Sequence, residues 1–307
     1  MTEDKLEKLK AMIEELNNLA VRIQELDQKK NKRLKRLKEI RDELPKIEEE
    51  EKVKMEIYKR MGIKYRSKLQ EIKEEEKEIT KQVSQIDKES KDLIKKFLYL
   101  FLEGGYPLLD LENPEVTGSQ VIFPIKEGFR LLRATYEVLL KITWNRTELF
   151  IDGVKFEEDR WIVDTDNRIK AMKKVKEILD TLENSVRDIL NIDEICERRI
   201  RKSKSWGPAL QLLYITRGPL TPKDVAKRLG WNINYASATL TNLMKKEFWP
   251  VPLVERPSKG VYRLNGHGYV IMRRYEQLYG ITIKREEQYE ENSQSVKRKT
   301  LLNFMKT

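Results

Sequence analysis

Apolar residues recur every three or four positions through the first hundred residues, on a background of Lys, Glu and other helix formers. Alternate steps of four and three from Leu9 to Leu100 define 27 heptad positions, and nineteen of them are apolar or aromatic. The eight defects are Asp27, Lys30, Arg41, Glu48, Glu51, Gly62, Glu76 and Ser90. A 3.5-residue repeat held this long predicts a coiled coil over residues 1–102. Two topologies satisfy it. The helix either runs on and pairs with a second subunit, or folds back as an antiparallel hairpin that turns between Pro45 and Gly62. Pro45 removes a helical hydrogen bond and Gly62 weakens its turn. Glu48 and Glu51 charge the seam, which predicts poor pairing there. The unbroken phase across the defects suits the continuous rod.

The period changes after residue 102. Gly104-Gly105-Tyr106-Pro107 breaks the helix, and residues 103–166 read as a small α+β region. Gly128–Thr135 is expected to be a short helix. Val121–Ile125, Val138–Thr143, Glu148–Ile151, Val154–Phe156 and Trp161–Val163 read as short strands, giving an antiparallel sheet of about four strands. Asn145-Arg146 and Asp152-Gly153 are the turn signals. Residues 167–204 read as one linker or dimerisation helix, running from Asn167 to about Arg201 and capped by Asp164 or Asp166. Its stripe is Ile169, Met172, Val175, Leu179, Leu182, Val186, Ile189 and Ile192. A run of positive charge, Arg198 to Lys204, closes it.

Residues 205–280 carry the densest set of signals. Ala209, Leu212, Leu213 and Ile215 mark a helix over Trp206–Arg217. Thr221-Pro222-Lys223-Asp224 is a helix start with a capping box, and Gly230 is its stop. A second helix begins after Asn232 or Asn234, with Ala236, Leu240 and Leu243 facing inward. Its other face offers Asn234, Tyr235, Ser237, Ala238, Thr241, Asn242 and Lys245, which are small, polar or basic. Leu253–Arg256, the tight Pro257-Ser258-Lys259-Gly260 and Val261–Leu264 form a β-hairpin with a basic tip. An amphipathic helix over Tyr269–Tyr279 follows, then a basic polar tail over 281–307, with a further helix expected at Val296–Met305.

This order of helix, helix, helix and hairpin, about 60 of the 307 residues, resembles the winged helix-turn-helix regulators of archaea and bacteria. The resemblance implies a mainly α protein ending in a DNA-binding module. Its third helix, the recognition helix, would enter the major groove, and its wing would touch the backbone. Asn234, Tyr235, Ser237, Ala238, Thr241, Asn242 and Lys245 become the base-reading face. Lys223, Arg256, Ser258, Lys259 and Arg263 become the phosphate contacts. One departure is Glu247-Phe248-Trp249-Pro250-Val251-Pro252, which stands before the hairpin where the family has a Gly and a short strand. Residues 1–196 resemble no family.

Charge agrees with that assignment. The net charge is +11. Residues 1–102 are nearly balanced, with 27 Lys/Arg against 23 Asp/Glu; residues 103–196 carry 13 against 19. Residues 197–307 carry 22 against 9. A basic excess confined to one module favours a polyanion. The expected partners are double-stranded DNA, a second copy of the chain and a protein partner through the coiled coil. No stretch of about 20 apolar residues is present to span a membrane, and the N-terminus reads as helix rather than signal peptide. The expected place is the cytoplasm, on the nucleoid. Heavy Lys and Glu usage with a single Cys and a single His is thermophile-like.

Catalysis finds little support. The glycines form no phosphate-binding loop. His267 stands alone just past the hairpin, and Cys196 reads as an apolar filler on a helix. Glu157, Glu158 and Asp159 with Asp164 and Asp166 have the chemistry of a divalent metal site, but read more simply as a turn and a helix cap. The expectation is a non-enzymatic protein without cofactor or metal. It is either a DNA-binding regulator or architectural factor, or an adaptor whose winged helix docks a protein.

Overall fold

The computed structural model describes residues 3–62, 67–104, 109–126, 129–245 and 251–283. The expected helix at Val296–Met305 lies outside them. The chain divides into two compact units, Met1–Ile178 and Leu179–Thr307.

The first unit is built on two long helices, α1 (Glu3–Arg60) and α2 (Lys68–Glu103). They are antiparallel partners within one chain. Ion pairs Arg22–Glu89, Arg36–Glu75 and Glu48–Lys73 descend α2 as they climb α1. Exposed pairs of this kind contribute little, so they fix register more than stability. The stability lies in the seam, where Leu37, Ile40 and Ile79 are buried against Leu44, Ile72 and Val83. The heptad frame slips by one residue inside α1: Leu26 and Ile40 are buried in place of positions 27 and 41. A straight helix drifts by about 20° per heptad against a 3.5 repeat, which accounts for the slip.

The turn falls at the Gly62 end of the expected interval, not at Pro45. The helix runs through that residue, which sits on the exposed side where water can meet the unpaired carbonyl one turn back. It stops at Met61-Gly62, where Gly62 adopts φ +68° and its amide donates to the Lys59 carbonyl. The acidic run pairs well rather than poorly. Glu48 meets Lys73 at 2.8 Å, and that ammonium holds its carboxyl below the usual range. The buried Glu51 accepts a 2.8 Å hydrogen bond from the Ser67 hydroxyl.

Helix α3 (Arg133–Trp144) occupies the stretch expected to be a strand at Val138–Thr143. Residues 129–132, expected to be helical, are not. The aliphatic run has no period because α3 is covered on two sides. Lys141 pairs with Asp27 of α1, and Tyr136 stacks on Phe156 of the sheet. Its start is fixed from far away: Asn17 Oδ1 accepts from the Leu132 amide at 3.0 Å and the Thr135 hydroxyl at 2.6 Å. Asn145 in the left-handed region, φ 53°, ends it. Substitution Asn17→Ala is expected to lower stability by about 1–2 kcal/mol. Urea denaturation followed by far-ultraviolet circular dichroism checks this, and an unchanged midpoint would remove Asn17 from the cap.

The sheet has five antiparallel strands in the order β1 (Glu115–Thr117), β2 (Gln120–Pro124), β5 (Arg160–Val163), β4 (Val154–Phe156), β3 (Phe150–Ile151). Strand β1 was not expected, being a short exposed edge. One face buries Val121, Phe123, Val154, Phe156, Trp161 and Val163. Tyr136 lies on it, its hydroxyl receiving the Trp161 indole N–H at 3.2 Å.

Helix α4 (Arg168–Ile189) crosses the division between the units. Its cap is Asn167, whose Oδ1 accepts from the amides of Ile169 and Lys170, and not Asp164 or Asp166. Its buried stripe is Ala171, Val175, Ile178, Leu182 and Val186, while Ile169 and Ile189 are exposed. The helix does not reach Arg201. Asn191 at φ 51° breaks it, and the one-turn α5 (Ile192–Glu194) and a π-helical segment (Ile195–Arg201) follow. The wider π turn keeps Ile195 and Ile200, five apart, both buried.

The second unit continues with α6 (Trp206–Thr216), α7 (Pro222–Leu229), α8 (Ile233–Leu243), the hairpin β6 (Val254–Ser258) and β7 (Val261–Leu264), and α9 (Gly266–Tyr279). Helix α6 is buried from Ala209 to Leu213, including Gln211, whose side-chain oxygen accepts from the Thr282 amide and hydroxyl. Among the described residues no helix is long and apolar enough to cross a membrane.

Candidate nucleic-acid interface

Local sequence signals build the entry to this region. Thr221 and Asp224 form a reciprocal capping box: the Thr221 hydroxyl accepts from the Asp224 amide, and the Asp224 carboxylate accepts from the Thr221 amide at 2.9 Å. Hydrogen bonds from Thr221 hold the Asp224 carboxyl below its usual range. Gly230 at φ +68° ends α7. Asn232 then caps α8, its side-chain oxygen accepting from the Asn234 amide at 2.8 Å.

Helix α8 buries Ala236, Thr239, Leu240 and Leu243. The opposite side carries Asn234, Ala238, Thr241 and Lys245, all exposed and spaced four, three and four apart. Tyr235 is exposed beside them; Ser237 and Asn242 are half-buried on its flanks. Six of the seven sequence-identified face residues lie on this helix, and Lys245 lies just past its end.

The hairpin departs from the expected boundaries. Strand β6 runs on through Pro257 to Ser258, with a register shift between Glu255 and Ser258, and the turn is Lys259-Gly260. Proline donates no ladder bond, so it sits where pairing is already interrupted. Arg256 and Lys259 are exposed, and the Arg256 guanidinium lies 5.8 Å from the centre of the Tyr262 ring. Arg263 is exposed but paired across the hairpin with Glu255. Ser258 is exposed beside the tip. Lys223 is exposed in the first turn of α7. Leu220, three residues before it, exchanges two 2.8 Å backbone hydrogen bonds with Tyr262. That bridge adds a third strand-like segment to the hairpin and ties the α7 entry to β7. The bridge is not legible in the sequence, because one bridging residue leaves no periodicity.

Two further residues were missed. Ile233 is 52% exposed at the start of α8. Trp231 lies one turn before Tyr235, and their rings meet edge to face at 5.0 Å. That i, i+4 aromatic spacing was the available signal. The basic run after α5 is largely engaged: Arg198 pairs with Glu194, Lys202 with Glu197, and Arg201 lies over Tyr279.

The residues with catalytic chemistry have other occupations. Glu157 pairs with Lys155 and Arg160, Glu158 accepts from the Arg133 amide, and Asp164 accepts from Gln120. Among the described residues no group of three His, Cys, Asp or Glu is placed to hold a metal. Cys196 is buried, and burial pushes its thiol up to about 12, far from an activated nucleophile. No protein-family model matches this chain, and neither a curated protein nor a solved structure does.

Proposed function

We propose that the protein is a non-enzymatic, double-stranded DNA-binding protein of the winged helix-turn-helix type, serving as a transcription regulator or chromosome-organising factor on the nucleoid. One observation carries the reading. The stripe Asn234, Ala238, Thr241 and Lys245 is exposed on a well-capped helix, with the exposed cations Lys223, Arg256 and Lys259 on the elements around it. Residues 197–307 of the sequence hold 22 Lys/Arg against 9 Asp/Glu. In this mechanism α8 enters the major groove, with Asn234, Tyr235, Ser237, Ala238, Thr241 and Asn242 at base edges. Lys223, Lys245, Arg256, Ser258 and Lys259 contact phosphates.

A homodimer supplies two such helices for two half-sites about one or more helical turns apart. The α1–α2 seam is satisfied within one chain, so the proposed coiled-coil contact uses the outside of the hairpin. Val53, Met55, Ile57 and Met61 are exposed at and just past the end of α1. The second reading is an adaptor that docks a protein partner through the winged helix and the coiled coil. It is favoured by the length of α1.

The test is fluorescence anisotropy of the full chain on a mixed-sequence duplex of about 30 bp, titrated with salt. A log–log line with a slope of several units is expected. No binding at low salt would favour the adaptor. Substituting Arg256→Ala and Lys259→Ala together is expected to weaken binding to every sequence and to flatten the slope by up to about two units. Adding Arg263→Ala is expected to weaken binding further, because it leaves the Glu255 carboxylate unpaired on the hairpin. An unchanged slope in the double variant would remove the hairpin from the interface.

A further inference from the structure

Helix α8 has the sequence Ile-Asn-Tyr-Ala-Ser-Ala-Thr-Leu-Thr-Asn-Leu and carries no charged side chain. In a chain with 37% charged residues, eleven consecutive uncharged positions on a half-exposed helix are a specific chemical surface. Each base pair asks for a different partner in the major groove. Guanine is read through O6 and N7 by Arg or Lys, and cytosine through its N4 amine by Asp or Glu. Adenine is read through N6 and N7 by Asn or Gln, and thymine by apolar contact with its C5 methyl.

The helix has none of the residues that read a G·C pair by charge. It has both kinds that read A·T. Asn234 and Asn242 supply amides that accept from N6 and donate to N7. Ile233 and Tyr235 are exposed in the first turn of the helix, the end that reaches base edges in such modules, and Ala238 is exposed at its middle. Ile233 and Tyr235 are 52% and 47% exposed, and Trp231 holds the Tyr235 ring edge to face. The helix itself holds no cation: Lys245 continues the exposed stripe just past the C-terminal end of α8, and Lys223, Arg256 and Lys259 are on other elements. Phosphate attraction and base reading are thus divided between different residues.

We propose that α8 reads A·T pairs directly in the major groove, by Asn234 and Asn242 on adenine and by Ile233, Tyr235 and Ala238 on thymine methyl groups. The inference rests on the DNA-binding reading above and names the class of sequence bound.

Competition binding of the full chain with four duplexes of equal length tests it. The first is A·T-rich and the second G·C-rich. The third is the A·T-rich duplex with uracil for thymine, which deletes only the methyl groups. The fourth has 7-deazaadenine for adenine, which deletes only the N7 acceptor. The A·T-rich duplex is expected to win over the G·C-rich one by about tenfold or more. Each modified duplex is expected to bind several-fold more weakly, at an unchanged salt slope. The double variant Asn234→Ala, Asn242→Ala is expected to lose sensitivity to 7-deazaadenine and keep sensitivity to uracil. Equal, salt-dependent binding to all four duplexes would overturn the inference and leave the DNA-binding reading standing. An A·T preference indifferent to both modifications would also overturn it, since groove shape would then be the signal. Absence of binding to any duplex at low salt would remove the DNA-binding reading itself, and the inference with it.

Discussion

Replacing Gly268 by alanine is expected to destabilise the C-terminal unit by about 3 kcal/mol. Gly268 lies in the first turn of α9, where its amide donates to the capping Asn265 side chain at 2.9 Å. A Cβ there would stand 2.2 Å from the Leu253 carbonyl oxygen and 2.9 Å from a Leu264 methyl. The carbonyl cannot withdraw freely, because the Asn265 amide donates to it at 3.1 Å and the Asn265 side chain is bonded to the neighbouring Pro252 carbonyl. Either the α9 cap or the approach to β6 must give way. The single cysteine offers the readout. Cys196 is buried, with its sulfur 3.7 Å from the Ile271 carbonyl of α9. Its reaction with a thiol reagent therefore reports opening of this unit. The variant is expected to react about a hundredfold faster than the parent under mildly alkaline conditions. Equal rates would show that α9 accommodates the methyl group.

The second large effect falls in the other unit. Trp161→Ala is expected to cost about 3–5 kcal/mol. The indole is 1% exposed. It meets Phe156 edge to face at 4.7 Å and Tyr136 at 6.4 Å. Truncation leaves a cavity between the sheet and α3, and it leaves the Tyr136 hydroxyl without its donor. That hydroxyl is already held neutral by burial, its pKa raised above the usual tyrosine value. Urea denaturation followed by circular dichroism should show a first transition at lower urea. Cys196 reactivity should stay at the parental rate while the first unit melts. A shared transition, with Cys196 exposed at the same urea, would show that the two units unfold as one.

What could be read from sequence follows how locally each element is determined. Helices α7 and α8, the hairpin and α9 were legible because their starts and stops lie within a few residues: Thr221 with Asp224, Gly230, Asn232, and Lys259-Gly260. The exposed face of α8 followed from the spacing of Ala236, Leu240 and Leu243. Helix α3 was not legible. Its apolar run is covered by α1 and by the sheet, which erases the period, and its cap comes from Asn17, more than a hundred residues earlier. The turn of the long hairpin falls at the Gly62 end of the expected Pro45–Gly62 interval, for a related reason. Pro45 is a strong local breaker, but the seam on both sides of it holds the helix together, and Glu48 and Glu51 find partners only once α2 has folded back. In the second unit, the paired state of Arg263 and the bridge at Leu220 depend on cross-strand neighbours that the linear order does not reveal.

The length of α1 has a consequence of its own. Fifty-eight residues at 1.5 Å each extend about 87 Å along the helix axis. That distance matches about 25 base pairs of duplex at 3.4 Å per step. Anything gripped at the Met61 end of the hairpin is therefore held some two helical turns of DNA away from whatever engages the Asn17 end. A chain that needed only to bring two copies together could do so with a helix a third as long. The hairpin has the dimensions of a spacer, and shortening it by whole heptads from both strands would show whether that span is used.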